Sequence, residues 1–273
     1  MTRCHRFRPA WLLAVGLAVA ACGSVAERRG ATVLFASGAD LQSINPLLTV
    51  HPLARQVQRY VLFMTLAQYD SALVPQPYLA RAWNWTPDRT ALTFRLRDDV
   101  AWHDGTPTTA RDVAWTLRAA LDTATGYPRL AELAQVQSVE AAGDTSVVIR
   151  FREAADAFPD VLTDLAILPA HLLDSVPRAR LRQAAFNEQP VGNGPFRFVA
   201  HEPNRRWVFE RNERFPASLG RPAVARFIVV VVDEPTTKLA ALTSGELDFA
   251  GIQPAHATFV AERTGDELLI VDN

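Results

Sequence analysis

The sequence predicts an α/β fold, and three patterns support this prediction. Residues 227–232 form a continuous apolar, largely β-branched run, which is typical of a strand covered on both faces. A helix opens at 233–235, Gly245 closes it, and a short strand starts at Leu247, which predicts a βαβ unit in a mostly parallel sheet. Residues 92–97 alternate between apolar and polar side chains, which predicts a half-buried strand. The 273 residues, 49% of them hydrophobic, are enough for two compact units.

A signal peptide is predicted at residues 1–21. Three arginines precede the apolar run 11–19, which is much shorter than the roughly 20 residues that span a bilayer. Residues 19–22, Val-Ala-Ala-Cys, resemble a bacterial lipobox, which implies cleavage before Cys22, acylation of that residue and anchoring in a membrane. The alternative is an ordinary secretory signal in which Cys22 is incidental. Cys4 would be removed with the signal, so the mature chain is expected to form no internal disulfide.

A strand followed by an irregular loop is predicted near the start of the mature chain. Residues 32–35 are a short β-type run, and Gly, Asn and Pro residues mark 38–46 as a loop. Pro52 suits the first turn of a helix, and apolar residues at helical spacing extend that helix toward a stop near Tyr69. Because binding residues often lie on loops held by a rigid scaffold, we expect 38–46 to form the edge of a site.

The middle of the chain is predicted to hold one helix and two strand pairs. Thr109 and Asp112 fit a helix-capping pattern, and an apolar stripe follows them, so a helix is predicted at 109–121. Two pairs of strands are predicted around turn residues, 136–141 with 145–151 and 196–200 with 207–211.

The charge balance argues against nucleic acid as a partner. The formal net charge is -1, and it becomes more negative once the arginines of the predicted signal peptide are removed. Affinity for nucleic acid depends on clustered cations that neutralise phosphates.

Short motifs follow one another in a fixed order along the chain. They are Pro-Tyr-Leu-Ala-Arg-Ala-Trp at 77–83, Leu-Thr-Phe-Arg-Leu-Arg at 92–97, Trp-His-Asp-Gly-Thr-Pro at 102–107, Thr-Ala-Arg-Asp-Val at 109–113, Gly-Asn-Gly-Pro at 192–195 and Ser-Gly-Glu-Leu-Asp at 244–248. With Ile-Asn-Pro at 44–46, they resemble the signature of the family 5 extracellular solute-binding proteins, which include dipeptide-, oligopeptide- and nickel-binding components of ABC importers. Asn193 stands where that family usually has Thr or Ser, and 211–216 also departs from its pattern.

The resemblance implies a periplasmic-binding-protein-like fold of type II. It implies a lobe with a mixed sheet and helices built from 22–58 and 166–253, and an inserted α+β subdomain at 59–165. Residues 254–273 would begin a second lobe. Because members of the family are considerably longer, we expect that second lobe to be largely missing from this chain, and we interpret the chain as a fragment or the product of a split gene.

The resemblance also implies a function in transport. The protein would be the extracytoplasmic solute-binding component of an ABC importer, a lipid-anchored monomer in the periplasm or on the outer face of the cell membrane. It would bind di- or oligopeptides and deliver them to permease subunits, without a cofactor and without catalysis. The alternatives are a carrier of nickel or a metal chelate, a fragment without function and, least favoured, a hydrolase of the cell envelope.

The expected ligand contacts lie on one loop and in the inserted subdomain. The resemblance places Asp40, Leu41, Gln42 and Ser43 at the edge of the cleft. Asp40 would meet a cationic end of the ligand or make a local turn. Tyr127 would reach the cleft from the subdomain or pack within it.

No catalytic or metal-ligating set is predicted. His103 and Asp104 would suit a metal-dependent hydrolase only if further ligands converged on them, and the other histidines are scattered singly. Residues 102–107 are therefore predicted to form a turn. The Gly-Asn-Gly of 192–194 lacks the rest of a dinucleotide or phosphate-loop motif, which favours a backbone bend.

Overall fold

The structure, a computed structural model, describes residues 31–263, without the side chains at 259 and 261–263. The predicted signal peptide and its Cys22 lie outside the described residues, as does the end of the segment 254–273. Within 31–263 no helix combines the length and the apolar character that crossing a bilayer requires.

The described residues form strands, helices and short helical turns. The strands are β1 (Thr32–Ser37), β2 (Ala67–Tyr69), β3 (Pro75–Pro77), β4 (Ala80–Trp85), β5 (Ala91–Leu96), β6 (Val136–Ala141), β7 (Ser146–Phe151), β8 (Phe196–Glu202), β9 (Arg206–Arg211), β10 (Arg226–Val231) and β11 (Phe249–Ala250). The α-helices are α1 (Pro52–Val57), α2 (Ala110–Leu121), α3 (Val161–Asp164), α4 (Ala170–Leu173), α5 (Pro235–Thr243) and α6 (Pro254–Arg263). A π-helix (Gln58–Leu62) continues α1, and 3-10 turns lie at Thr123–Thr125, Leu130–Leu133, Arg178–Gln183, Ala185–Asn187 and Ala217–Leu219.

The larger sheet has five strands in the order β11-β1-β10-β9-β8. The predicted βαβ unit is confirmed, because α5 connects β10 to β11 and both strands lie parallel to β1. The expectation of a mostly parallel sheet is wrong, because β9 pairs antiparallel with both β8 and β10. The expectation that β10 is covered on both faces is also wrong, since Val229 is the one residue of the strand that is buried among the described residues.

The smaller sheet has four antiparallel strands in the order β4-β5-β7-β6, and α2 packs against β6 and β7. The predicted helix is confirmed, and Thr109 and Asp112 form the expected capping box at its start. All four strands and α2 fall inside the range predicted for the inserted subdomain, whose exact bounds remain a prediction. One apolar core is continuous beneath both sheets and contains Phe94 of the smaller sheet and Phe209 of the larger.

The helix that starts at Pro52 ends at Leu62, well before the stop near Tyr69 predicted from periodicity. The reason is a contact from a distant part of the chain. The backbone N–H of Gly194 donates a hydrogen bond to the Leu62 carbonyl at 2.9 Å. The Asn193 side chain accepts one from the Met64 N–H at 2.9 Å. These bonds bind the segment after the π-helix to the 192–194 loop.

Asp164, at the end of α3, is the centre of an ion-pair network. Its side chain is only 7% exposed. Its carboxylate accepts hydrogen bonds from Arg55 at 2.5 Å, from Arg59 at 2.6 Å and from Arg129. Arg129 also pairs with Glu132. Because Arg55 lies on α1 and Arg59 on the π-helix, this network connects residues 52–62 with the region 129–164.

Candidate functional site

One end of the larger sheet gathers several loops. Because β1, β8 and β10 run in the same direction, their carboxyl ends at Ser37, Glu202 and Val231 lie at one edge. The antiparallel strand β9 starts there, at Arg206. We call this the carboxyl edge. In open α/β sheets, ligands bind outside the carboxyl ends of the strands, so this edge is the candidate site.

Asp40 anchors the first loop to this edge. Its carboxylate accepts hydrogen bonds from the Leu41 N–H at 2.7 Å, the Asn204 N–H at 2.8 Å and the Trp207 indole at 2.5 Å. His201, which stacks on Trp207 with ring centroids 3.7 Å apart, lies 3.2 Å from the same carboxylate. Burial alone would raise the pKa of Asp40, but the bonds from Trp207, Asn204, His201 and Leu41 lower it to about 2.

Gln42 and Ser43 face a small cavity of about 210 Å³. Other parts of its wall come from Leu48, Arg182, Asn187, Glu188, His201 and Trp207. Gln42 is exposed and has φ of 63°, a left-handed conformation that is uncommon for a residue with a side chain. Its side-chain oxygen lies 3.2 Å from the Thr49 hydroxyl, which donates to it.

Further hydrogen bonds hold the loop in this shape. The Ser43 carbonyl accepts from the Gln58 amide at 3.3 Å, and its hydroxyl accepts from the Asn45 N–H at 3.1 Å. The Asn45 amide in turn donates to the Asn187 side chain at 3.0 Å. The loop is therefore organised before any ligand arrives, which lowers the conformational entropy that binding has to overcome.

The two remaining predicted contacts, Leu41 and Tyr127, face inward. Leu41 is completely buried and belongs to the core, and its backbone N–H donates to Asp40. Tyr127 is buried in the same core, and burial raises the pKa of its hydroxyl. The structure thus brings Asp40, Gln42 and Ser43 together at the carboxyl edge, whereas Tyr127 packs among apolar side chains.

Lys238, the only lysine of the chain, lies at the same edge. Its ammonium nitrogen is 3.4 Å from the position that a Cβ on Gly38 would occupy, directly after β1. The side chain is half-buried, and no carboxylate of the described residues lies within ion-pair distance of it. The nearest acids in sequence are Asp233, which is exposed, and Glu234, which accepts hydrogen bonds from Thr236 and Thr237.

Replacement of Asp40 by asparagine is expected to destabilise the protein at neutral pH. The asparagine NH₂ would face N–H donors, and we expect a loss of about 1–2 kcal/mol for this mismatch. A carboxylate with a lowered pKa stabilises the fold above its unfolded value of 3.8, and this contribution is lost as the pH falls toward 2. Urea unfolding should therefore show a difference between wild type and Asp40→Asn at pH 7 that shrinks below pH 4. An equal difference at pH 7 and pH 2.5 would contradict this role.

His201, Trp207, Asn187 and Lys238 were not predicted as site residues from the sequence. His201 and Trp207 are more than 160 positions from Asp40, and no local pattern connects them with it. Lys238 carried a weak signal, since it is the single lysine in a chain rich in arginine.

Among the residues that the structure describes, no group of three or more His, Cys, Asp or Glu side chains stands close enough to hold a metal ion. His171 on α4 and Asp104 in the turn predicted at 102–107 approach to 2.7 Å, but they form a pair without a third ligand among the described residues.

Known proteins resemble this chain in sequence and in fold. A putative ABC transporter peptide-binding protein of Brucella ovis is 34% identical over 172 residues, which cover 63% of this chain and 32% of the relative. The structure resembles that of the oligopeptide-binding protein AppA of Bacillus subtilis in complex with a nonapeptide. The TM-score is 0.80 at 26% identity, over 86% of this chain and 46% of AppA. It also resembles NikZ of Campylobacter jejuni in complex with Ni(L-His), with a TM-score of 0.76 at 27% identity, over 86% of this chain and 45% of NikZ.

The matched part of the chain therefore covers from 32% to 46% of the length of these relatives. The sequence model of the bacterial extracellular solute-binding proteins, family 5 (middle region), matches residues 74–270, well over half of the chain. The fold of the relatives is the type II periplasmic-binding-protein fold that the sequence motifs implied. The chain belongs to family 5 of the bacterial extracellular solute-binding proteins.

Proposed function

We propose that the protein is the extracytoplasmic solute-binding component of an ABC importer, which binds di- or oligopeptides and delivers them to permease subunits. The observation that supports this most strongly is the organised loop 38–43 at the carboxyl edge of a solute-binding fold. We further propose that binding involves no covalent chemistry and no cofactor, and that the protein is a monomer that does not bind nucleic acid.

The cavity beside Gln42 and Ser43 suits one wall of a larger cleft. Its volume is about 210 Å³. Enclosed small-molecule sites occupy about 300–1,000 Å³, so this wall does not enclose a peptide by itself. In the proposed mechanism a second lobe closes over the carboxyl edge and excludes water. The polar groups of the peptide then exchange water for fixed hydrogen bonds from the loop.

The charges at this edge favour one orientation of the peptide. The Asp40 carboxylate already accepts hydrogen bonds from within the protein, so little of its capacity is left for a ligand ammonium group. Lys238 has no ion-pair partner among the described residues. We therefore propose that this lobe receives the carboxylate end of the peptide at Lys238, and that Asp40 positions the loop.

The likeness to NikZ favours a second candidate, the binding of a metal chelate. The described residues provide no cluster of three metal ligands. The metal would therefore have to arrive with its own chelating molecule, whose carboxylates Lys238 would meet.

The location of the protein is also proposed. Cleavage before Cys22 and acylation of that residue would place the protein in the periplasm or on the outer face of the cell membrane, held by a lipid anchor. Globomycin-sensitive processing and labelling with a radioactive fatty acid test this, and both should be lost in Cys22→Ser.

Calorimetry of the protein at its natural length tests the peptide proposal. Tripeptides with a free carboxylate should bind at least about tenfold more tightly than the same peptides with an amidated end, because a charge-assisted hydrogen bond is lost. Lys238→Met should remove this difference, whereas Arg95→Met, which removes an exposed cation on β5, should preserve it.

The outcomes separate the two parts of the proposal. Absence of any peptide affinity, or hydrolysis of the peptides detected by mass spectrometry, would contradict peptide transport. A carboxylate preference that persists in Lys238→Met would refute the role of Lys238 alone. Affinity for nickel with histidine and none for peptides would favour the chelate candidate.

A further inference from the structure

A second cavity lies at the opposite end of the larger sheet from the carboxyl edge. Its volume is about 730 Å³. Its wall contains the starts of β1 and β10, the end of β9, and His103 from the turn that precedes α2. This cavity takes no part in the proposed peptide site.

Positive charge exceeds negative charge in this wall. It contains four arginines and two glutamates, namely Arg197, Arg211, Arg214, Arg226, Glu210 and Glu213. We call it the arginine cavity.

Its ion pairs leave part of the positive charge without a counterion. Glu210 is shared between Arg197 at 2.6 Å and Arg226 at 2.7 Å. Glu213 pairs with Arg211 at 2.8 Å. Arg214 donates to the backbone carbonyl of His103 at 3.0 Å and has no carboxylate within ion-pair distance among the described residues. The wall therefore carries an excess of two positive charges over its carboxylates.

The buried imidazole of His103 lies in this wall, where the nearby arginines affect its pKa. Its imidazole Nε2 lies 3.1 Å from the Gly194 carbonyl, while its Nδ1 is buried without a partner among the described residues. Burial, together with the charges of Arg197 and Arg214, lowers the pKa of His103 to about 4, although the Gly194 bond and the charge of Asp104 act in the opposite direction. The two guanidinium groups thus act on the same point, and the imidazole is neutral at pH 7.

We propose that the arginine cavity is a second binding site, which takes a small molecule carrying a phosphate-type dianion. A dianion matches the two uncompensated charges. The planar guanidinium groups present paired N–H donors that suit phosphate oxygens. The cavity also has room for an organic group beside the phosphate, since its volume falls within the range of small-molecule sites. Because the site lies at the far end of the sheet, such a ligand and a peptide would bind at separate places.

Titration with inorganic phosphate tests this proposal. The probe is added to the protein at its natural length at pH 8, with sodium chloride at the same ionic strength as the reference, while the NMR signals of the His103 ring are recorded. We expect a saturable shift of these signals with phosphate and none with chloride. Because an anion nearby stabilises the imidazolium, the pKa of His103 should also rise when phosphate is bound.

Three variants test whether the charges of the arginine cavity determine the affinity for phosphate. Arg214→Ala removes an exposed side chain that has no carboxylate partner, and it should weaken phosphate binding at least about tenfold. Glu213→Gln removes a competing carboxylate and should tighten binding several-fold. Arg111→Ala, which removes an arginine paired with Asp174 on another surface, should leave the affinity unchanged.

A linear, unsaturable response equal to that of chloride would overturn the proposal. So would a phosphate affinity that Arg214→Ala and Glu213→Gln leave unaltered, because the arginines would then be satisfied within the protein itself.

Discussion

Replacement of Gly192 by alanine is expected to lower the free energy of unfolding by about 3 kcal/mol or more, the largest effect of a single methyl group that we predict. A Cβ at this position would lie 1.9 Å from the carbonyl oxygen of Leu62 and 2.8 Å from its carbonyl carbon. Both are backbone atoms at the end of the π-helix, so rotation of a side chain cannot relieve the clash. The loop would have to move away and lose the bond between the Gly194 N–H and Leu62.

Chemical denaturation followed by circular dichroism measures this effect. Gly251→Ala is the matched control, because a Cβ there meets nothing within 4 Å and the backbone needs no positive φ. It should change the free energy of unfolding by less than about 1 kcal/mol. Equal stabilities of the two variants would show that the 192–194 loop does not pack against Leu62 as described.

Removal of the Asp164 carboxylate is expected to cause the second large loss in the free energy of unfolding. In Asp164→Ala, the guanidinium groups of Arg55, Arg59 and Arg129 would remain close together with Glu132 as the nearby counterion. Loss of one partner from a buried charge network costs about 3–5 kcal/mol, and partial exposure of the arginines lowers our expectation to about 2–4 kcal/mol. High salt should reduce the loss, because counterions screen the repulsion among the arginines.

Asp174→Ala is the control for this prediction. Asp174 also pairs with an arginine, Arg111, but both side chains are about half exposed or more, so the loss should stay below about 1 kcal/mol. Urea unfolding at low and high salt compares the two variants. A loss in Asp164→Ala no larger than that in Asp174→Ala would contradict the buried network.

Local patterns predicted the regular elements of this fold because their causes are local. The capping box at Thr109 and Asp112 depends on residues three positions apart, and it forms as expected. Residues 226–231 form a strand because β-branched side chains favour one. Their exposure was predicted wrongly, since it depends on what covers the sheet.

Distant contacts account for most of what the sequence did not predict. The helix at Pro52 ends early because Asn193 and Gly194, about 130 positions later, bind the segment after Leu62. Asn193 stands where the family usually has Thr or Ser, and its side chain finds hydrogen-bond partners in this loop. Its longer side chain accepts from the Met64 N–H, and its amide lies 3.4 Å from the Thr108 hydroxyl.

The sequence predicted the loop that follows β1, and the structure places this loop at the carboxyl edge. Its role as the edge of a ligand site stays a prediction. The sequence left open whether Asp40 meets a ligand or serves the fold, because its main partners, Asn204 and Trp207, are more than 160 positions away. The position of Lys238 at this edge depends on the packing of α5 beside Gly38, 200 positions earlier in the chain, so no local pattern could predict it.

Hydrogen–deuterium exchange with and without a saturating peptide mixture tests the central claim most directly, that the carboxyl edge of this lobe is a wall of the peptide site. At the natural length of the protein, we predict slower amide exchange in 38–45 and 201–207 when peptides are present, and unchanged exchange in 210–214 at the arginine cavity. Protection confined to other regions, with unchanged exchange in 38–45 at saturating peptide, would contradict the account.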